Sequence, residues 1–257
     1  MSARRLTLST IDGIPLVRPG DDLASLLLDA LSSSGDSLED GDILVIAQKI
    51  FSKAQDRYVS IADVTPSAEA EKLAIEVDKD PRIVELILSE SSEVVRHRPG
   101  VLIVAHKLGF VMANAGIDAS NVAEGGEDDD RVLLLPVDPD GDCADLRAEI
   151  KDRAGAEVAV IMNDSVGRAW RSGTTGIAIG VAGMPAILDL RGDDDLFGRE
   201  LKVSIVGIAD ELAAAASILQ GQAAEGAPAV IIRGYSVDGE HMTGKALIRD
   251  KDEDLFR

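Results

Sequence analysis

The sequence contains only one cysteine, Cys143, in 257 residues. A single thiol excludes an internal disulfide and favours a reducing compartment, so we expect a cytoplasmic protein. Aromatic residues are also scarce, at 3% of the chain, and Trp170 is the sole tryptophan. The core must therefore be built from aliphatic side chains.

Long apolar runs are missing as well, so no segment predicts a membrane span. The first residues, MSARRLTLSTIDG, lack the apolar stretch and cleavage site of a signal peptide. Hydrophobic residues still reach 46%, which is enough to bury a full core. Because no repeat, low-complexity tract or linker divides the chain, we expect residues 1–257 to form one unit with two lobes.

Positive charge is in short supply, since 26 Lys and Arg residues face 46 Asp and Glu residues. The formal net charge of −20 repels nucleic-acid phosphates and argues against a DNA or RNA partner. Such a chain accepts an anionic small molecule only where metal ions and local Lys or Arg reverse the sign of the field. For most of the carboxylates, a solubilising surface role is a sufficient explanation.

Several catalytic signatures are absent. The three histidines, His97, His106 and His241, lie far apart without the spacing of a zinc site. Neither a GxxxxGK[ST] phosphate loop nor a GxSxG nucleophile motif occurs, and Cys143 has no CxxC partner.

The pattern of apolar residues alternates between strand and helix, which predicts a mixed α and β protein. Buried strands are predicted at DILVIAQKI, EVAVIMNDS and AVIIRG, and a hairpin at VLIVAHKLGFVMANAGID. Helices are predicted at LASLLLDAL, SAEAEKLAIEV, DGDCADLRAEIKDRAG and residues 208–219, with another beginning near Pro81.

Other segments are characterised by composition. Residues 173–183 are rich in small side chains, which suits close packing of backbone against backbone. EGGEDDD, at 124–130, predicts an acidic loop, and MTGKALIRDKDEDLFR a terminal helix.

The first stretch with candidate chemistry follows DILVIA and contains Gln48, Lys49 and Lys53. Lysines just past a buried strand can hold phosphate oxygens as point charges. From spacing alone, solvated surface lysines are the favoured explanation.

The second stretch, NAGIDASN, flanks Asp118 with small residues and places Asn121 three positions later. An open carboxylate is a ligand that Mg²⁺ prefers, usually together with phosphate oxygens. An Asx-turn or a helix cap is the structural alternative.

The third stretch, NDSVGRAWRSG, brings Asp164, Ser165, Arg168 and Arg171 together between glycines. A carboxylate and a hydroxyl can bind one or two metal ions, and two arginines can face a polyanion. Surface arginines and a packing role for Trp170 are the alternatives.

The fourth stretch, QGQAAEG at 220–226, closes an Ala-rich helix. Its small residues would let backbone groups approach a ligand, although a plain helix-end loop explains them too.

Taken together, these stretches resemble the coenzyme F420-0:L-glutamate ligase family, also known as the F420 gamma-glutamyl ligases. The resemblance runs nearly end to end through GIPLVRPGDDL, DGDILVIAQKIFSKAQDR, NAGIDASNV, LLLPVDPDG, VIMNDSVGRAWRSGTTGIAIGVAG, DLFGRELKVSIVGIADELAAAASILQGQ and PAVIIRG. It implies an α+β fold with mixed and antiparallel sheets, flanking helices and an intertwined homodimer. Some relatives carry a further nitroreductase-like domain, and we expect none here.

The resemblance also implies a reaction. Family members use GTP with Mg²⁺ or Mn²⁺, often aided by a monovalent cation such as K⁺. They phosphorylate the free carboxylate of coenzyme F420-0, a lactyl-phosphate form of a deazaflavin. The amine of L-glutamate attacks the acyl phosphate, and many members add a second glutamate through a gamma linkage.

By family match, roles transfer to individual residues. Arg168, Arg171 and Lys53 are the candidate catalytic cations. The metal ligands are Asp118, Asp164, Ser165 and Gln222, where some relatives carry Glu in place of Gln222. The nucleotide-binding positions are Ile14, Pro15, Leu16, Val17, Gln48, Lys49, Lys53, Asn121, Ile218, Leu219, Gln220, Gly221, Gln222, Ala223, Ala224 and Glu225.

Two alternatives stay open from sequence. One is a related metal- and nucleotide-dependent amide ligase that acts on a different acid, because no motif reads the deazaflavin ring. The other is a non-catalytic nucleotide-binding homologue, against which the combination of Asp118, Asp164, Arg168 and Lys53 weighs.

Overall fold

The computed structural model describes residues 5–122, 130–236 and 238–256. Within these residues the chain forms six α-helices and twelve β-strands. The helices are α1 (Leu23–Ser34), α2 (Gln48–Ala54), α3 (Ala68–Val77), α4 (Pro81–Ser89), α5 (Pro139–Ala154) and α6 (Ile208–Gln220). The strands are β1 (Thr7–Thr10), β2 (Ile43–Ala47), β3 (Tyr58–Ser60), β4 (Ser91–Arg98), β5 (Val101–His106), β6 (Val111–Ala113), β7 (Arg131–Leu133), β8 (Ala159–Arg168), β9 (Arg171–Ala182), β10 (Leu188–Asp189), β11 (Ile205–Val206) and β12 (Ala229–Arg233).

The main sheet has five strands in the order β1-β12-β2-β8-β9. β2 and β8 run parallel, and the other neighbours are antiparallel. The central strands read as continuous apolar runs because both of their faces are covered. The predicted buried strands at DILVIA, EVAVIM and AVIIRG are therefore confirmed.

Helices cover both faces of this sheet. One face packs on α1 and α5 through side chains such as Leu27 and Ile150, and Cys143 is buried there as well. The other face packs on α6 through its alanines and Leu212. The core is aliphatic, as the low aromatic content predicts, and the fold is α+β with mixed and antiparallel sheets.

A third hydrophobic cluster joins α3 and α4 to a separate antiparallel sheet, β4-β5-β6. β5 and β6 pair around Lys107, Leu108 and Gly109, which confirms the predicted hairpin. Two short antiparallel pairs, β3-β7 and β10-β11, complete the sheets of the described residues.

Helix boundaries follow local capping chemistry. Asp22 and Ser67 accept backbone N–H groups at the starts of α1 and α3, as N-cap residues do. Asp80 caps α4 with Pro81 in the first turn, and Gly155 ends α5 in the left-handed conformation.

The small residues of β9 permit close packing, as predicted. A Cβ added at Gly180 would clash with the backbone carbonyl of Pro139 in α5. One added at Gly176 would lie 2.6 Å from the carbonyl oxygen of Ala213 in α6. β9 is thus sandwiched between two helix backbones.

Three predictions about element bounds are wrong. The strand predicted at DILVIAQKI ends at Ala47. Gln48 begins α2, because Ile50 and Phe51 pack into the core from a helix. The strand predicted at EVAVIMNDS continues past its predicted end, since pairing with β9 carries β8 on to Arg168. The segment at 242–257 forms only short 3₁₀ turns, at Gly244–Leu247 and Lys251–Glu253, within its described part. The predicted acidic loop falls outside the described residues, apart from Asp130.

In the part of the chain that the structure describes, no helix has the length and apolarity needed to cross a membrane.

Candidate active site

The candidate site is a cavity of about 890 Å³ at the carboxyl end of the parallel pair β2 and β8. Ala47 pairs with Asn163 across these strands. The next residues, Gln48 and Asp164, therefore reach the same edge of the sheet, where α/β proteins commonly bind ligands.

The cavity gathers most of the residues that the sequence singled out. All four polar stretches contribute residues to its wall. The third stretch contributes Asp164 and Ser165 but neither of its arginines. The predicted residues on its wall are Ile14, Pro15, Leu16, Val17, Gln48, Lys49, Lys53, Asp118, Asn121, Asp164, Ser165, Gln220, Gly221, Gln222, Ala223, Ala224 and Glu225.

Asp118 is held by the start of α2. The Gln48 side-chain amide donates to Asp118 Oδ2 at 2.8 Å, and Lys49 Nζ lies 3.4 Å from the same oxygen. Ser52 donates to Gln48 Oε1 at 2.9 Å, which fixes the orientation of the amide. The backbone of Asp118 exchanges two 2.9 Å hydrogen bonds with Leu133. The carboxylate is thus positioned from both sides.

Asp164 lies close enough to Asp118 for their charges to interact. Burial, reinforced by the negative charge of Asp118, raises the pKa of Asp164 to about 7. Burial also raises the pKa of Asp118, while Lys49, Gln48 and Lys53 lower it. Two carboxyl groups with raised pKa values in one cavity mark a place where added positive charge would be stabilising.

The loop after α6 closes over this pair. Gln222 donates to Ser165 Oγ at 2.9 Å, and Asn121 donates to the carbonyl of Ala223 at 2.8 Å. The Gln220 side chain instead forms structural hydrogen bonds. It accepts from Asn163 at 2.6 Å and donates to two backbone carbonyls. Gln220 therefore anchors the loop from which Gln222 reaches the centre.

The donor set fits a hard divalent cation. Two carboxylates, a serine hydroxyl and a glutamine amide are oxygen donors of the kind that Mg²⁺ and Mn²⁺ prefer. No group of three or more His, Cys, Asp or Glu residues forms a metal cluster within the described ranges. A cation here would need further oxygens from water or a ligand, as Mg²⁺ sites with bound phosphates usually do.

Lys49 and Lys53 bring positive charge to the same wall. They lie one helical turn apart on α2, so both side chains share a face. Lys49 also donates to the carbonyl of Ser120 at 2.9 Å, which ties α2 to the Asp118 loop. A cavity with two acids and two lysines can hold a polyphosphate and its counter-ion together.

Four of the sequence-predicted residues lie elsewhere. Arg168 and Arg171 flank the turn of the β8-β9 hairpin and are not on the described wall of the cavity. Ile218 and Leu219 belong to the last turn of α6, and the wall begins only at Gln220. The two arginines lie outside the wall because β8 continues beyond Asp164 and places the hairpin turn away from it.

Several wall residues were missed by the sequence reasoning. Tyr58 and Arg131 come from β3 and β7, and the Arg131 guanidinium stacks 5.2 Å from the centre of the Tyr58 ring. Asn163 stands beside the metal motif, and Thr174 pairs with Gly167 across the hairpin. The motif NDS pointed towards Asn163. Tyr58 and Arg131 arrive through long-range pairing, and Thr174 arrives through the β8-β9 hairpin. The remaining wall residues outside the predictions are Arg18, Pro19, Ala47, Ile50, Ser120, Val122, Gly226, Ala227 and Pro228.

Comparison with known proteins gives a consistent result. Residues 13–234 match the model of the F420-0:Gamma-glutamyl ligase family. A protein of Methanothermobacter thermautotrophicus, named coenzyme F420:L-glutamate ligase, is 46% identical over 98% of this chain and 99% of its own length. Proteins of the same name from Methanopyrus kandleri and Haloarcula marismortui are 44% and 40% identical, each over 96% of this chain and over 97% and 94% of their own lengths.

Proposed function

The chain belongs to the F420-0:gamma-glutamyl ligase family and is therefore a ligase, and we propose that it joins L-glutamate to coenzyme F420-0. The energy source in this proposal is GTP, and the new bond is an amide at the lactyl carboxylate of the deazaflavin. The names of the relatives support the two substrates, while the chemistry of the cavity supports the nucleotide.

One observation carries the proposal. Burial raises the pKa of both Asp118 and Asp164, and the charge of Asp118 raises that of Asp164 further, in a cavity whose wall also carries Lys49 and Lys53. In a chain of net charge −20, such a local mixture is suited to a bound anion and its cation.

The binding roles divide along the wall. Lys53 and Lys49 would neutralise phosphate oxygens, and the segment at 14–17 with Asn121 and the loop at 220–225 would enclose the nucleoside. Asp118, Asp164 and Ser165, with Gln222 beside them, would hold Mg²⁺ or Mn²⁺, which when bound supplies positive charge to offset the triphosphate.

In the proposed reaction, an oxygen of the acceptor carboxylate attacks the γ-phosphorus of GTP, and GDP leaves. The amine of L-glutamate then attacks the carbonyl carbon of the acyl phosphate, inorganic phosphate leaves and the amine loses a proton. An enclosed wall protects the acyl phosphate from water. A second glutamate would be added in the same way at the γ-carboxylate of the first.

The proposal extends to features that the resemblance implies. These are a homodimer, a stimulating K⁺ ion, a cytoplasmic location, and action of Arg168 and Arg171 on the reacting anions.

The test is product analysis of the purified protein. GTP, Mg²⁺, L-glutamate and F420-0 should give mono- or diglutamylated coenzyme by mass spectrometry, with one GDP and one phosphate for each amide. Reactions without metal, with ATP in place of GTP, and with Asp164→Asn serve as controls.

Other outcomes separate the alternatives. Glutamylation of a different acid, but not of F420-0, would identify another amide ligase. GTP binding without acceptor-dependent phosphate release would identify a non-catalytic homologue.

A further inference from the structure

The β8-β9 hairpin extends beyond the cavity and ends in an exposed tryptophan. Ser165 and Thr174 line the cavity, and Thr174 pairs with Gly167 on the opposite strand. Trp170 lies in the two-residue turn between Arg168, the last residue of β8, and Arg171, the first residue of β9. The hairpin therefore links the carboxylate end of the site to its tip through paired strands, with a shift of register between Gly167 and Arg168.

Trp170 has an unusual environment for the only tryptophan of the chain. Its side chain is 85% exposed, and its backbone is left-handed with φ of 63°. Non-glycine residues rarely adopt that conformation, and it costs free energy. Phe256 supports one side of the indole, with ring centres 6.3 Å apart and planes tilted by 55°. An aromatic platform of this kind leaves a large π-surface for a ligand.

Two arginines, Arg168 and Arg171, lie close to Trp170 in sequence and carry positive charge. Neither Arg168 nor Arg171 makes an ion pair with another residue in the described ranges. Arg168 Nε is buried without a hydrogen-bond partner among those residues, which is costly for a guanidinium. An anionic group placed at the hairpin can pair with the positive charge of either arginine.

The surface between the cavity and Trp170 carries little side-chain bulk. A Cβ added at Gly167 or at Gly173 would meet no atom of the described residues within 4 Å. A long ligand can lie along this stretch without displacing the protein.

We propose that the outer half of the β8-β9 hairpin binds the acceptor, with Trp170 stacked on its planar deazaflavin ring. Arg168 and Arg171 contact the acidic phosphate between that ring and the reacting carboxylate. This inference rests on the proposed function, because it names the part of the same site that selects the acceptor. Asp164 lies four residues before the end of β8, about 13 Å at the rise of a strand, and Trp170 lies in the turn beyond that end, which leaves room for the chain that joins carboxylate and ring.

The charge of the protein makes this assignment specific. A chain of net charge −20 repels an anionic acceptor everywhere except where cations cluster. Leu196 and Phe197 are also exposed, yet they have no such continuity with the cavity wall. An exposed ring flanked by two guanidiniums binds planar anions by stacking and ion pairing.

Equilibrium binding of F420-0 to Trp170→Ala, followed through the fluorescence of the deazaflavin, tests the inference. The Kd should rise between about fivefold and a hundredfold, the range for loss of an aromatic stacking partner. Trp170→Phe should stay within a few-fold of wild type, and Arg171→Ala should weaken binding while reducing its dependence on salt. In turnover, KM for F420-0 should rise, and KM for GTP and glutamate should not change.

The matched control is Phe197→Ala, which removes another aromatic that is 94% exposed. It should leave the Kd for F420-0 unchanged. An unchanged Kd in Trp170→Ala would overturn the inference, and so would a change in its molecular mass by light scattering, which would place Trp170 between copies of the chain. If the wild type binds F420-0 through Trp170 without glutamylating it, the proposed function fails and the binding inference stands. If the wild type does not bind F420-0 at all, the inference fails with it.

Discussion

Gln48 donates its side-chain amide to Asp118 at 2.8 Å, although 70 residues of chain separate the two. Gln48 is the first residue of α2, and Asp118 lies beside β7. Since Ser52 fixes the Gln48 amide from the next turn, the helix sets the orientation of the carboxylate. Hydrogen bonds within the protein thus orient the acidic half of the site.

Asp164→Asn should abolish ligation and leave the protein folded. The amide cannot neutralise a divalent cation, and loss of such an electrostatic contribution commonly lowers the rate about 100-fold or more. Because burial raises the pKa of Asp164 to about 7, its charge disfavours the metal-free fold above that pH. The metal-free variant should therefore unfold at the same or a higher temperature than wild type at pH 8.

Thermal unfolding with and without Mn²⁺ checks this result independently of activity. The wild type should gain stability from the cation, and the variant should gain less. Near-normal turnover of Asp164→Asn at limiting Mg²⁺ would show that Asp164 is not a metal ligand.

Lys53→Ala should raise KM for GTP or lower kcat and leave KM for glutamate nearly unchanged. Loss of one charge-assisted phosphate contact costs about 1.5–3 kcal/mol, or roughly 10- to 150-fold. Steady-state kinetics with GTP varied at saturating glutamate measures the effect. Lys72→Ala, an exposed position on α3 that is not on the described cavity wall, is the matched control. A GTP dependence equal to that of wild type would show that Lys53 does not contact the phosphates of GTP.

Gly180→Ala should lower the free energy of unfolding by about 1–3 kcal/mol, because the methyl group meets the Pro139 carbonyl in a packed layer. Gly167→Ala, on the same hairpin, meets open space and should stay within about 0.5 kcal/mol of wild type. Urea unfolding of both variants measures the difference. Equal stabilities would show that α5 moves away from β9 without cost.

His106 should make the fold sensitive to acid. Burial, reinforced by the positive charges of Lys107 and Arg57, lowers the pKa of His106 from 6.5 to about 4. Glu90 lies 3.8 Å from Nε2, but its carboxylate is shared with Arg57. Between pH 6.5 and pH 4, His106 binds a proton in the unfolded chain but not in the folded chain. The free energy of unfolding therefore falls as the pH decreases towards 4, by up to about 3 kcal/mol.

Denaturant unfolding of wild type and His106→Gln at pH 7 and pH 4.5 tests the sign. The variant should lose less stability between the two pH values than the wild type does. His97→Gln, at a partly exposed histidine, is the control and should follow the wild type. A parallel loss in wild type and His106→Gln would assign the acid sensitivity to other groups.

Much of the fold follows from interactions within a few residues of sequence. Asp22 and Ser67 cap the helices that they precede, and Gly155 ends α5, because each satisfies backbone groups in its own turn. The apolar run at β2 likewise predicts a strand that is covered on both faces. These features could be read from sequence because their causes are local.

The motifs also singled out residues that the fold brings together. Asp118, Asp164 and Lys53 all reach one cavity, although no spacing between them in the chain requires it. Their selection came from resemblance, and their juxtaposition was still an expectation before the fold was known.

Only the tertiary structure decided where those residues meet. The parallel register of Ala47 with Asn163 brings Gln48 and Asp164 to one edge, and this pairing joins segments more than a hundred residues apart. A different pairing, the hairpin with β9, continues β8 to Arg168 and carries that arginine away from the cavity. Strand pairing depends on which distant backbone satisfies each N–H and C=O group, and local sequence does not encode that choice.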